Sequence, residues 1–167
     1  MRPSPYKVLI LCTGNSARSI IGEYLLRAKG HGRFETYSAG SHPTGKVNPL
    51  ALWVLKEHYG IDATGARSKS WDELKGVKFD LVITVCDNAK ESCPLFPGHP
   101  TTAHFGSPDP AACPGSDEEK QQAFIQVSSQ ISQRLDLLIA LPDGQLEPLR
   151  IREIGERFAA EEKPAAP

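Results

Sequence analysis

No charge of one sign dominates the chain: 19 Lys and Arg stand against 20 Asp and Glu, a formal net charge of −1. That balance leaves no electrostatic footprint for nucleic acid or an anionic membrane surface, so a charged ligand must be chosen by a local site. Long hydrophobic runs are missing as well. Apolar stretches such as Val8 to Cys12 fall far short of the ~20 residues a membrane helix needs, and too few residues precede that run for a signal-peptide core. A soluble, cytoplasmic protein is expected, with neither nucleic acid nor membrane as partner. Cysteine is sparse: Cys12, Cys86, Cys93 and Cys113 are the four in 167 residues. In a reducing compartment they do not form a structural disulfide framework, which leaves catalysis, metal binding and inert packing open.

The length suits one domain with a real core. Tyr6 to Leu11 (YKVLIL) is apolar without alternation, as in a strand buried on both faces. The Gly and Ser turn Cys12 to Ser19 follows directly, and Ile20, Ile21, Tyr24, Leu25 and Ala28 then recur at helical spacing up to Gly30. Phe34 to Ser38 and Phe79 to Val85 read as further strands, and Thr101 to Phe105 as a weaker one. Asn48 and Pro49 supply an N-cap and first-turn proline for a helix reaching Gly60. Ser70 with Glu73, and Ser116 with Glu119, have capping-box spacing. The second pair opens a long helix whose apolar stripe is Phe124, Val127, Ile131, Leu135 and Leu138, ended by Pro142. Alternating strands and helices predict an α/β fold, a doubly wound parallel sheet with helices on both faces. Residues 1–141 form the domain and 142–167 an extension. In it Leu149, Ile151, Ile154 and Phe158 suit one short docked helix, and Ala159 to Pro167 reads as disordered. Trp53 and Trp71 are expected to pack in or on the core.

Chemistry concentrates after the first strand, since ligands of open parallel sheets bind beyond the carboxyl ends of the strands. Between Cys12 and Arg18 several backbone amides and a helix N-terminus surround one small volume, a ready site for a tetrahedral oxyanion. Arg18 adds a planar fork matched to two of its oxygens. The same field acts on the thiol. Lowering a cysteine from pKa ~8.5 to about 6 takes it from ~3% to ~90% thiolate at pH 7, a change worth ~3.4 kcal/mol. A hydrogen bond from the Ser19 hydroxyl to sulfur is expected to help, so Cys12 is read as a nucleophile aimed at the bound oxyanion. Cys93, His99, His104 and Cys113 are metal-ligand types whose spacings form no pair of short chelating turns, so neither metal nor other cofactor is expected.

Cys12-Thr13-Gly14-Asn15-Ser16-Ala17-Arg18-Ser19 resembles the phosphate loop of the low-molecular-weight protein tyrosine phosphatases and of the arsenate reductases that share their fold. Ser107-Pro108-Asp109-Pro110-Ala111 resembles their Asp-Pro loop. The resemblance runs from about Lys7 to Leu141. It implies a four-stranded parallel sheet in which the first strand lies beside the third, bringing Cys86 to the same edge as Cys12. It also implies that Thr13, Gly14, Asn15, Ser16, Ala17 and Arg18 cradle the oxyanion while Asp109 protonates the leaving oxygen, a role worth typically 10²–10⁴-fold.

Phosphate and arsenate are too alike for the loop to separate a phosphatase from a reductase. A phosphatase needs only water after the first attack, whereas reducing As(V) to As(III) takes two electrons and a second thiol. Cys86-Asp87-Asn88-Ala89-Lys90-Glu91-Ser92-Cys93-Pro94 resembles the redox segment of the thioredoxin-coupled arsenate reductases. Carried over, Cys86 attacks the Cys12 adduct, and Cys93 then attacks the Cys12 to Cys86 disulfide. The resemblance therefore implies an arsenate reductase recycled by thioredoxin, with phosphate and sulfate as competing anions; for a substrate this small a monomer suffices. Ala111 and Ala112 stand where tyrosine phosphatases of this fold usually carry an aromatic that lines a slot for the substrate ring. A phosphatase acting on phosphate monoesters and an arsenite or redox sensor without turnover are the alternatives.

Two positions depart from the staphylococcal type of reductase. Ala17 replaces a cysteine outside the relay. A potassium site to which Asn15, Glu23 and Ser38 correspond has Lys69 in place of its carboxylate ligand. The expectation is that the Lys69 ammonium replaces the cation, pairs with Glu23 and makes activity insensitive to potassium.

Overall fold

The strongest apolar run becomes the second of four parallel strands. The computed structural model describes residues 4–86, 100–142 and 151–156. In it β1 (Tyr6–Cys12) pairs with β2 (Phe34–Gly40) on one side and β3 (Leu81–Thr84) on the other, and β4 (Thr101–His104) lies beside β3. All three pairings are parallel. Val8 to Leu11 are buried among these neighbours, which is why β1 carries no polar alternation. The expected doubly wound parallel sheet is borne out, with the first strand beside the third. The chain leaves β1 toward β2 and returns to its far side as β3, so the topological switch falls at the carboxyl end of β1.

Among the described residues three longer helices accompany the sheet: α1 (Arg18–Lys29), α2 (Pro49–Tyr59) and α3 (Asp117–Ala140). The α1 helix packs on β1 and β2, and α2 and α3 pack on it and on each other. Their starts follow the capping signals: Asn48 accepts from the Leu50 amide and Ser116 from the Glu119 amide. At Ser70 the outcome differs. Its hydroxyl caps only a short 3₁₀ turn, Trp71–Leu74, because Glu73 is drawn away to Arg67 at 3.2 Å and cannot close the reciprocal box. The third strand is also shorter than its apolar run, since Asp80 turns back to bond Lys7 through both backbone and carboxylate. Trp53 and Trp71 are half-buried against the core.

Residues 151–156 form a helical turn docked on β4. Ile151 and Ile154 are buried, Arg152 Nε donates to the Thr102 carbonyl at 3.2 Å, and Gly155 lies so close to the His104 carbonyl that a Cβ there would overlap it. This segment thereby covers part of an edge strand, the kind of surface that otherwise invites intermolecular pairing. Leu149, Phe158 and Ala159 to Pro167 lie outside the described residues. Among the described residues no helix is long and apolar enough to cross a membrane.

The close approach at Gly155 sets a test. Gly155→Val is expected to undock 151–156 at a cost of ~1–3 kcal/mol, read as a lower Tm and faster amide exchange in 101–104 and 151–156. Unchanged exchange there would show that the contact does not hold the segment.

Candidate active site

The carboxyl end of β1 opens into a loop whose peptide units are turned by the segment leaving β2. Cys12 is in register with Gly40. A Cβ on Gly40 would sit 2.5 Å from the Thr13 carbonyl oxygen, so only glycine lets the two backbones approach. Beyond it, the amides of Ser41, His42, Thr44 and Asn48 donate to the carbonyls of Cys12, Thr13, Gly14 and Ser16 at 2.8–3.3 Å. Ser68 Oγ adds a second bond to the Gly14 carbonyl at 3.2 Å. With the carbonyls bound outward, the amides face the other way. Among the described residues none of the amides of Gly14 to Arg18 donates to a backbone carbonyl. The loop then runs into α1 at Ala17, which offers no side-chain cap, so the first-turn amides of α1 face the same volume. The loop amides and the start of α1 thus surround one small volume.

Asn15 keys the loop into the body of the protein. It is fully buried with φ +47°, a left-handed conformation that Asn tolerates better than most side chains. Its Nδ2 donates to Ser19 Oγ at 2.8 Å and Ser38 Oγ at 3.0 Å, and its Oδ1 accepts from the Lys69 amide at 2.9 Å. Ser38 passes the network on by donating to Glu23 Oε1 at 2.5 Å. Here two expectations are corrected. Glu23 is paired at 2.6 Å with Arg27, one helical turn along α1, rather than with Lys69. Arg27 also donates to the Thr36 side chain and carbonyl, which fixes its fork beside Glu23. Lys69 serves through its backbone. Its Nζ donates to the Arg67 carbonyl at 3.0 Å, and burial pushes its ammonium pKa down with only partial compensation from Glu23. Ser19 accepts from Asn15, and the neighbours that set the acidity of the Cys12 thiol are Cys86, Arg18 and the Gly14 amide, not the Ser19 hydroxyl.

Cys86 and Cys12 are brought together by the sheet. The Val85 amide bonds the Leu11 carbonyl at 2.9 Å, so the residue after it lies beside the residue after Leu11. Both thiols are buried, Thr13 Oγ1 lies 3.2 Å from Cys86 Sγ, and Cys86 acts on Cys12 strongly enough to raise it. This contact changes the expected acidity. The hydrogen bond to Cys86, then burial, push the Cys12 thiol up, against the opposing pull of Arg18 and the Gly14 amide. Two thiols in such contact titrate as a pair, the second proton being held by the charge left when the first departs. Cys12 is therefore not an isolated low-pKa thiolate in the dithiol form. Cys93 and the segment 87–99 lie outside the described residues. Cys113 donates to the carbonyls of Pro114 and Glu119 and is not part of this cluster.

Opposite the cradle stands the loop carrying Asp109. Arg18 Nη1 donates to the Ser107 carbonyl at 2.9 Å, and Nη2 is 3.9 Å from Asp109 Oδ2. Arg18 Nε is buried with no hydrogen-bond partner among the described residues, a donor beside the cradle. Asp109 Oδ1 caps the 3₁₀ turn Pro110–Ala112 by accepting from the Ala111 amide at 3.0 Å, leaving the half-exposed carboxylate beside Arg18. Sequence reasoning missed two participants. The Thr13 hydroxyl was assigned no role apart from its backbone, because its partner is 73 residues away. Arg134 was passed over inside the apolar stripe of α3, although it bonds the carbonyls of Phe105 and Gly106. A charge between Ser132 and Leu135 on a core-facing helix was the available signal.

Fold and site together define a cysteine-centred loop, with its amides turned inward and Arg18 beside it, at the switch point of a doubly wound sheet. Residues 7–140 match the family described as low molecular weight phosphotyrosine protein phosphatase. The chain belongs to that family. Among its relatives is an arsenate reductase of Halalkalibacterium halodurans, 38% identical over 77% of this chain and 91% of its own length. Similar solved structures include a low molecular weight protein tyrosine phosphatase from T. tengcongensis, 28% identical with TM-score 0.66 over 80% of this chain and 97% of that one. An arsenate reductase in the phosphate binding state is 26% identical with TM-score 0.65 over 81% of this chain and 97% of that one.

Two outcomes follow from the geometry. Cys86→Ala removes the largest cause that raises Cys12 and leaves the two that lower it. The pH midpoint for Cys12 alkylation by iodoacetamide, followed on its own peptide by mass spectrometry, is expected to fall by at least ~1 unit; a midpoint that stays or rises contradicts the pairing. With Arg27 already beside Glu23, replacing sodium by potassium at constant ionic strength is expected to leave wild-type Tm and activity unchanged. In Arg27→Ala, which loses a partly exposed pair worth ~0.5–1 kcal/mol, potassium is expected to restore Tm, and no restoration would mean that Glu23 needs no cation.

Proposed function

We propose that this protein reduces arsenate to arsenite by a three-thiol relay, with a protein dithiol of the thioredoxin type as electron donor. The observation that carries the reading is the second buried thiol, Cys86, whose Sγ lies 3.2 Å from the hydroxyl of Thr13, the residue next to Cys12. Hydrolysis of a phosphate ester has no use for it, whereas reduction requires it. The cradle, the buried Arg18 Nε and the similarity to arsenate reductases support arsenate as substrate and phosphate as a competing anion.

In the proposed cycle, Cys12 sulfur bonds arsenic and one arsenate oxygen leaves as water, its proton supplied by Asp109. Cys86 then attacks Cys12 Sγ. The S–S bond forms as the S–As bond breaks, its electron pair stays on arsenic, and As(V) departs as arsenite. Cys93 attacks Cys86 Sγ, frees the Cys12 thiolate and leaves a Cys86–Cys93 disulfide for the external dithiol to reduce. Each turnover oxidises two thiols and reduces one arsenic by two electrons. The contact from Thr13 Oγ1 supports Cys86 as the attacking thiol, since a hydroxyl donor stabilises its thiolate. The cycle suits a monomer in a reducing cytoplasm, where the disulfide exists only as an intermediate.

The test couples arsenate to NADPH oxidation through thioredoxin and its reductase. Wild type is expected to turn over, Cys86→Ser to lose turnover by more than ~10³-fold, and Cys93→Ser to stop after one equivalent of arsenite. Wild-type rates in both variants would refute the relay. The family's phosphatases support a second reading, which predicts turnover of aryl phosphates that survives Cys86→Ser; tight arsenite binding with no turnover of either substrate would mark a sensor.

A further inference from the structure

Arg134 is a cation in the wrong place for packing alone. It projects from the middle of α3 into the core and is 1% exposed, a location costly for a guanidinium unless hydrogen bonds replace its water. Its Nη1 donates to two successive carbonyls, Phe105 at 3.1 Å and Gly106 at 2.5 Å. The next carbonyl, Ser107, is taken by Arg18 at 2.9 Å. The amides of the same stretch are fixed from the other side: Phe105 donates to Thr84 at 2.8 Å and Ser107 to Val85 at 3.2 Å. The peptide units leading to Asp109 are thus held on both edges, and the turn Pro110–Ala112 that follows packs on α3 as well. An apolar residue would fill the space of Arg134 but leave the buried Phe105 carbonyl and the part-buried Gly106 carbonyl without this donor.

We propose that Arg134 is a positioning residue for Asp109, fixing the approach of the Asp-Pro loop so that its carboxyl meets the oxygen leaving the Cys12 adduct. The proposal rests on the reading of Asp109 as general acid. Arg134 touches neither oxyanion nor thiol. It acts on the acid alone, whereas Arg18 serves cradle and loop together.

The experiment is a double-mutant cycle in single turnover. Arsenate is added to the reduced protein without an external reductant, and the loss of free thiols is followed to give a saturating rate and a half-saturating arsenate concentration. Asp109→Asn is expected to slow the saturating rate by ~10²-fold or more. Arg134→Met should slow it at least ~10-fold while the half-saturating concentration stays within ~2-fold, because the cradle is untouched. Adding Arg134→Met to Asp109→Asn should cost no more than ~2-fold further, since an acid already absent cannot be misplaced. Arg134→Lys, which keeps the charge but not the fork, should fall between; it also serves in the cycle if Arg134→Met melts below the assay temperature.

A full rate in Arg134→Met, or a loss that multiplies with that of Asp109→Asn, overturns the positioning role. A full rate in Asp109→Asn beside a slow Arg134→Met removes the general acid instead, and the proposal with it. If wild type loses no thiols to arsenate, the proposed function fails, and the same cycle on p-nitrophenyl phosphate hydrolysis decides the role of Arg134 separately.

Discussion

Each carbonyl of Cys12, Thr13, Gly14 and Ser16 is held from outside by the segment that leaves β2, and the orientation of the loop's peptide units follows from that. A peptide unit is rigid, so fixing its oxygen fixes its hydrogen on the opposite side. The amide cradle is therefore the reverse face of ordinary tertiary hydrogen bonding, and it exists before any ligand arrives. Asn15 completes it from within. Its left-handed backbone turns the loop, while its amide side chain ties the turn to Ser19, Ser38 and the Lys69 backbone. The Arg27 to Glu23 pair stands behind Ser38, so a charged group of α1 stabilises the outer end of the same network.

The sheet decides how thiols meet this cradle. Because β3 rather than β2 occupies the far side of β1, the chain leaving β3 delivers Cys86 to Cys12 and Thr13. That proximity has two consequences for chemistry. It sets a second sulfur beside the first, and it ties the acidity of Cys12 to its partner thiol in the reduced protein. The loop and Arg18 pull the Cys12 thiol down while the partner thiol holds it up, so loop and partner act in opposite directions.

The Asp109 loop is held by charge in a way the cradle is not. Arg18 and Arg134 approach its carbonyls from different helices, and β4 beneath it is covered by residues 151–156. Buried arginines are costly to place and exacting in geometry, so the peptide units before Asp109 are held in one arrangement.

Local sequence was sufficient for the elements that local physics controls. The apolar run of β1, the caps at Asn48 and Ser116, and the order strand, Cys12, turn, Arg18, helix all act over a few residues, so they are legible without the fold. The sequence by itself thus determined the α/β class, the family and the place of the Cys12 to Arg18 loop between strand and helix. Only the tertiary structure decided who meets whom: Glu23 with Arg27 instead of Lys69, Ser19 with Asn15 instead of the Cys12 sulfur, and Arg134 with the carbonyls before Asp109. It also decided the acidity of Cys12, raised by a thiol 74 positions away in the chain. Hydrogen bonds and ion pairs act over a few ångströms of space whatever the sequence separation, and that separation is closed only when β3 lies down beside β1.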